Sequence, residues 1–307
     1  MINDPSRTIL IIGTGAMACL FGARLSAAGI PVILFGTWIE GLQALKQSGV
    51  RLVDKSGTEQ AFPVQVVSGW KDCQGVRFAL VLVKSWQTRR AARQLAECLA
   101  PDGLALTLQN GLGNREMLAQ ALGARRVTLG VTTVGATLLG PGLVRQAGEG
   151  VISLSAHPGL APLSNLLQSA GFVIETEPDA TAMLWGKLVI NAAINPVTAL
   201  LRVPNGELLK RSSARALLQA SVREAAAVAV AQGIRLPFPD PVVAAEAIAR
   251  NTAGNRSSML QDVERGAPTE IDAICGAIVQ AGEHTGVATP ICRTLWQLVK
   301  ALQPEEK

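Results

Sequence analysis

The chain has 307 residues, enough for two domains that each bury a core. Its 49% hydrophobic against 17% charged residues excludes an intrinsically disordered chain. Aromatics make up 4% and tyrosine is absent, which argues against a base-stacking nucleic-acid platform. The net charge of +5 comes without a dense Lys/Arg block and reads as solubility charge.

Five scattered cysteines, Cys19, Cys73, Cys98, Cys275 and Cys292, form no C-x-x-C pair, and the two histidines give no zinc spacing. The reading is therefore of reduced thiols in a cytoplasmic protein with no metal site. No apolar run is read as membrane-spanning, and the apolar N-terminal segment runs into glycines that make a turn rather than a signal peptide.

Thr8-Ile9-Leu10-Ile11-Ile12 has the look of a strand buried on both faces. Gly13-Thr14-Gly15-Ala16-Met17-Ala18 follows at once, then a predicted helix over 19–28 and a strand at Val32-Ile33-Leu34-Phe35. This is a βαβ unit with G-x-G-x-x-A at its turn. Gly13 permits the bend, Gly15 lets backbone approach a pyrophosphate, and small Ala18 lets helix pack on strand. The helix N-terminus then faces the phosphates. An NAD site usually has an acid at the end of the second strand. Gly36-Thr37-Trp38 stands there instead, which leans toward NADP, although no arginine is present to hold a 2′-phosphate.

Strand and helix patterns alternate onward. Val50-Arg51-Leu52-Val53 reads as a strand, 62–67 as one extended piece, and Phe78-Ala79-Leu80-Val81-Leu82-Val83 as a buried strand ending in Lys84-Ser85-Trp86-Gln87. A helix over 88–99 precedes a strand over 104–108 that ends in Gln109-Asn110-Gly111-Leu112-Gly113-Asn114. Ligands of open α/β sheets bind at such C-terminal strand ends. Taken alone, Asn110-Gly111 is a turn signal, and Lys84 suits an exposed loop charge as well as a ligand contact. A strand is expected over 127–137, antiparallel edge strands over 143–146 and 151–154, a helix over 161–170 and a last strand over 172–175. Glu177-Pro178-Asp179 is the expected boundary between a dinucleotide-binding domain over 1–178 and an all-helical domain over 179–307.

The helical half opens on Leu184-Trp185-Gly186-Lys187-Leu188-Val189-Ile190-Asn191-Ala192-Ala193-Ile194-Asn195-Pro196. Lys187, Asn191 and Asn195 recur every four residues and line one helix face among apolar neighbours. Buried amides are usually paired internally. A buried lysine is different: it is rare without a partner, and its pKa responds to desolvation. The face therefore reads as a cleft wall with one proton donor and two amides. Pro196 should kink this helix. Ser258 sits at a helix start and Glu270 in the first turn of a helix running to about 283, positions that need no function to explain them.

Together the motifs resemble those of the ketopantoate reductases (2-dehydropantoate 2-reductases). They are Gly13-Thr14-Gly15-Ala16-Met17, Val83-Lys84-Ser85-Trp86-Gln87, Leu108-Gln109-Asn110-Gly111-Leu112-Gly113-Asn114, Thr132-Thr133-Val134-Gly135-Ala136, Trp185-Gly186-Lys187 through Asn195-Pro196, Pro204-Asn205-Gly206-Glu207-Leu208, and Ser257-Ser258-Met259-Leu260-Gln261-Asp262 with Thr269-Glu270-Ile271-Asp272. The resemblance implies an α/β fold, a Rossmann-type N-terminal domain followed by an all-helical C-terminal domain, with the active site in the cleft between. It also implies reduction of 2-dehydropantoate to (R)-pantoate with NADPH, on the way to pantothenate and coenzyme A.

By motif matching, Lys187 is the general acid and Glu270 its partner at the substrate. Asn110 orients substrate and nicotinamide, Asn191 and Asn195 bind substrate oxygens, and Ser258, with Asn255 nearby, holds the substrate carboxylate. Gly13, Thr14, Gly15, Ala16 and Met17 hold the cofactor, with Lys84 and Gln87 along its adenosine part. Family members often carry arginine where this chain has Thr37 and Trp38, so NAD stays open beside NADP. The expected partner is a small 2-keto acid, with neither nucleic acid nor membrane, and Ala-rich helical faces are compatible with a homodimer. The alternatives are a reductase of another 2-keto acid and a non-catalytic NAD(P)-binding sensor.

Overall fold

The structure is a computed structural model that describes residues 6–54, 56–178 and 180–302. Asp179 of the expected boundary, and residues 303–307 of the expected helical domain, lie outside the described residues. The chain divides into two compact units: Met1–Gln109 with Asn114–Ala180, and Asn110–Gly113 with Thr181–Lys307.

The first unit is α/β. Its elements are β1 (Ile9–Ile12), α1 (Ala16–Ala27), β2 (Val32–Phe35), α2 (Ile39–Ser48), β3 (Val50–Val53), β4 (Glu59–Phe62), β5 (Gln65–Val67), β6 (Val76–Val81), α3 (Thr88–Cys98), β7 (Leu99–Thr107), α4 (Asn114–Leu122), β8 (Val127–Thr132), β9 (Gly135–Gly140), β10 (Leu143–Gly148), β11 (Val151–Ser155), α5 (Ala161–Ser169) and β12 (Val173–Glu177). Eight strands form one sheet in the order β12-β11-β8-β7-β6-β1-β2-β5. Its neighbours are parallel except β11 against β8.

The alternation of side chains across a strand explains the layers. Ile9 and Ile11 of β1, with Phe78 and Leu80 of β6, enter one core with α1 and α5. Leu10 and Ile12, with Ala79 and Val81, enter the opposite core with α3 and α4. Burying each such aliphatic side chain is worth about 1.5–3 kcal/mol, so β1 is fixed from both faces and the turn that follows it is rigidly placed.

Residues 62–67 are not one strand: Pro63 separates β4 from β5, which join different sheets. The expected strand over 127–137 is two, β8 and β9. β10 and β11 are not edge strands, since β10 lies between β3 and β9 and β11 between β8 and β12. A second sheet, β4-β3-β10-β9, was not foreseen; β3 and β10 pair in parallel from distant parts of the chain.

The described residues of the second unit contain no strand. Its elements are α6 (Ala180–Leu201), α7 (Glu207–Lys210), α8 (Ser212–Ala231), α9 (Pro241–Asn251), α10 (Ser258–Glu264), a π-helical turn over Asp272–Gly276, α11 (Ala277–Thr285) and α12 (Pro290–Ala301). α6 is long and apolar enough to cross a membrane by length and composition, contrary to the reading that no run is. Lys187, Asn191 and Asn195 break its sequence into short runs, but the helix is continuous. Some 67% of its apolar window is buried inside the protein, and Trp185, Leu188, Val189, Ala192 and Val197 belong to the unit's core, as in a core helix.

α6 runs through Pro196 without ending. Proline has no N–H to give to the carbonyl four residues back, Ala192. That carbonyl accepts instead from the buried Ser221 Oγ of α8 at 2.9 Å and from Cys275 Sγ at 3.9 Å.

Candidate active site

The candidate functional residues fall in both units. In the first, Gly13 follows β1 at φ +133° and gives its N–H to Phe35 O of β2 at 2.8 Å. An added Cβ would lie 3.1 Å from Leu82 O, so both conformation and space call for glycine. Gly15 is the N-cap of α1, which begins at Ala16 rather than at the expected residue 19. A Cβ on Gly15 would meet nothing within 4 Å, no described side chain caps the helix, and its first turn has no acid. Open space in front of uncapped N–H groups is what a pyrophosphate needs. Thr14 is buried, and Gly36 at the end of β2 packs on it so closely that a Cβ would lie 2.6 Å from Thr14 Cγ2. These residues fit a dinucleotide.

Lys84 is half-buried and precedes the short turn Ser85–Gln87, whose Gln87 N–H bonds Lys84 O at 2.8 Å. Trp38 and Trp86 are both exposed at strand ends of this sheet.

In the second unit Lys187, Asn191 and Asn195 share a face of α6 as their spacing requires. Beside Lys187, Gly186 is pressed against Pro237, where a Cβ would lie 2.6 Å from its Cγ. Lys187 keeps part of its surface exposed, yet loss of water around the ammonium lowers its pKa to about 8, and the charge of Glu270 opposes that fall. Glu270 is buried, and its Oε2 accepts Asn110 Nδ2 at 3.0 Å. Lys187, Glu270 and Asn110 are therefore one electrostatic and hydrogen-bonded group.

Asn195 is only 6% exposed, and neither its side-chain amide nor that of Asn191 hydrogen-bonds to another described residue. Side-chain amides without internal partners are open to a polar ligand.

Ser258 is exposed and is the first residue of α10; the N-cap is the buried Ser257, which accepts from Leu260 N at 3.1 Å. Ser257 Oγ also meets Thr198 Oγ1 at 2.7 Å, which holds the start of α10 against α6 one turn beyond Asn195. Asn255 is exposed, and its carbonyl accepts Asn205 N at 3.0 Å. Among the described residues no hydrogen bond joins Ser258 or Asn255 to Lys187, Glu270 or Asn110. The sequence reading missed the grip on the 110–113 segment: Leu112 N–H bonds Ala273 O at 3.0 Å, and Gly111 at φ +85° lies against Ala273. The glycine at 111 was its one visible sign.

A glycine-turn α/β unit coupled in one chain to a helical unit with a lysine–glutamate pair is the arrangement of a nicotinamide-dependent oxidoreductase. The family description "Ketopantoate reductase PanE/ApbA" matches residues 9–159, and "Ketopantoate reductase PanE/ApbA C terminal" matches residues 179–303. The chain belongs to this family. It is 38% identical over 301 residues to a 2-dehydropantoate 2-reductase of Archaeoglobus fulgidus, covering 96% of this chain and 97% of the relative. A Halobacterium salinarum enzyme of the same name is 33% identical, covering 96% and 98%. Among solved structures, a PanE/ApbA family ketopantoate reductase from Ralstonia eutropha JMP134 superposes with a TM-score of 0.89 at 34% identity, covering 96% and 98% of the two chains. A D-mandelate dehydrogenase in ternary complex with NADH and anilino(oxo)acetate superposes with a TM-score of 0.90 at 29% identity, with the same coverage.

Proposed function

We propose that the chain reduces the ketone of 2-dehydropantoate to (R)-pantoate with NADPH. The supporting observation is the Lys187–Glu270–Asn110 group in a chain that aligns over 96% of its length with 2-dehydropantoate 2-reductases. In this reading residues 1–178 hold the dinucleotide and 179–307, joined by Asn110, carry substrate and proton chemistry. Gly13, Thr14, Gly15, Ala16 and Met17 cradle the pyrophosphate, and Lys84 and Gln87 lie along the adenosine part.

The bound reduced nicotinamide supplies the hydride. Lys187, in its ammonium form, stabilises negative charge growing on the carbonyl oxygen and gives that oxygen its proton. Glu270 keeps the ammonium charged against desolvation, and Asn110 holds Glu270 in place. Asn191 and Asn195 donate to substrate oxygens, and Ser258, with Asn255 nearby, receives the carboxylate.

A second reading is favoured by the likeness to D-mandelate dehydrogenase: another 2-keto acid, used with NADH. One experiment separates them, the fall in absorbance of NADPH or NADH with 2-dehydropantoate or phenylglyoxylate. Fast oxidation of NADPH with 2-dehydropantoate alone is expected. Preference for phenylglyoxylate and NADH would replace the reading with the second. Tight cofactor binding without oxidation by any keto acid would replace it with a sensor.

A further inference from the structure

The Asn110–Glu270 hydrogen bond joins residues 160 positions apart in the chain. Both of its ends are held by one five-residue feature, the π-helical turn Asp272–Gly276. Glu270 stands two residues before that turn. Asn110 is tied to it through its next two neighbours. Leu112 N–H bonds Ala273 O at 3.0 Å, and a Cβ on Gly111 would lie 2.4 Å from that same oxygen and 2.6 Å from Ala273 Cβ. Only glycine, at φ +85°, allows so close an approach.

The turn is fixed on its other side as well. Asp272 Oδ1 accepts Trp296 Nε1 at 2.6 Å and Lys300 Nζ at 3.1 Å, and Gly276 lies under the Trp296 ring, where a Cβ would be 3.0 Å from Cε2. A π-turn holds one residue more than an α-turn; it is rare and frequently found at functional sites. Because an α-helix turns through roughly 100° per residue, the extra residue rotates Glu270 relative to α11 by about that angle. An ordinary α-turn here would point Glu270 away from its present direction and draw Ala273 O into the helix ladder.

We infer that the Asp272–Gly276 π-turn, gripping Gly111 and Leu112 through Ala273, positions Asn110 and Glu270 for Lys187, so that Gly111 and Ala273 are positioning residues of the reductase. This rests on the proposed roles of Lys187, Glu270 and Asn110. Loosening the grip frees the Glu270 carboxylate, weakens its support of the Lys187 charge and lowers the pH at which the lysine loses its proton.

The test is a double-mutant cycle of Gly111→Ala and Asn110→Ala, read by pH–rate profiles, with hydrogen exchange of the Leu112 amide followed in parallel. Gly111→Ala is expected to lower kcat on the order of tenfold to hundredfold, to move the alkaline limb of the profile to lower pH, to deprotect the Leu112 amide, and to have no further effect on kcat once Asn110 is alanine. Trp296→Phe keeps the ring and removes its hydrogen bond to Asp272. It should move the alkaline limb in the same direction by less, and it serves if the first variant does not fold. An unmoved limb, or losses from Gly111→Ala and Asn110→Ala that simply multiply, would overturn the inference. Wild-type protein that oxidises no reduced cofactor with any keto acid would sink the reductase reading instead; equal Leu112 exchange in wild type and Gly111→Ala would then separately sink the grip.

Discussion

Lys187 carries two opposed influences: burial lowers its pKa to about 8, and the Glu270 charge raises it. The proton donor is therefore present below about pH 8 and lost above it, so kcat/KM for ketone reduction should fall as pH rises through that value. Glu270→Gln removes the raising influence, and the same fall should then appear at lower pH. Lys187→Met should lower kcat by roughly 10²–10⁴-fold, the usual worth of a positioned acid, with cofactor dissociation constants unchanged. A profile that stays flat to pH 10, about two units past the lysine's lowered pKa, would remove Lys187 from the role. Gly15 offers a complementary test, because its backbone is open to any residue and a Cβ would touch nothing in the protein. Gly15→Ala should keep its thermal midpoint yet weaken dinucleotide binding about tenfold or more, ~1.4 kcal/mol or above. Loss of stability without loss of affinity would show a turn residue and no phosphate site.

At the level of elements, α6 depends on help from α8 across Pro196. Ser221→Ala leaves the buried Ala192 carbonyl without its Oγ–H donor, a cost of about 1–3 kcal/mol. A fall of a few degrees in thermal midpoint checks it; no change would mean that the Cys275 thiol suffices. Such partnerships divide what the sequence reveals from what it hides. The β1–α1–β2 unit is legible because its signals are local: a β-branched run, glycines at a fixed offset, then a helical period. The face of Lys187, Asn191 and Asn195 is legible for the same reason. The sheet β4-β3-β10-β9 is not, because a parallel pairing of Arg51 with Leu143 leaves no mark on either segment alone. Residues 272–276 read as ordinary helix, since the extra residue of a π-turn has no composition of its own. Glu270 and Asn110 gained functional meaning only from the family resemblance; singly, each residue suited a helix start or a turn.

For the whole molecule, the chain path sets a limit on how separable the two units are. Gln109 is tied into the first unit by Nε2 bonds to Val83 O at 2.9 Å and Thr88 Oγ1 at 2.8 Å. The next residue, Asn110, belongs to the second unit, and Asn114 is back in the first, where it accepts from Thr88 Oγ1 at 2.8 Å. A cut after residue 178 therefore yields a fragment 1–178 with its glycine turn and both sheets whole, but with 110–113 parted from Glu270 and Ala273. Such a fragment should still bind reduced dinucleotide, because the sheet that places Gly13 and Gly15 is internal to it. Its Leu112 amide should exchange with solvent at near-unprotected rates, while the Gln109 amide, which donates to Thr107 Oγ1 at 3.3 Å within the fragment, should stay slower. Calorimetric titration and residue-resolved exchange decide the matter. A fragment that cannot bind dinucleotide would show that the glycine turn and its sheet do not suffice, and a still-protected Leu112 would show that 110–113 holds its shape without Ala273.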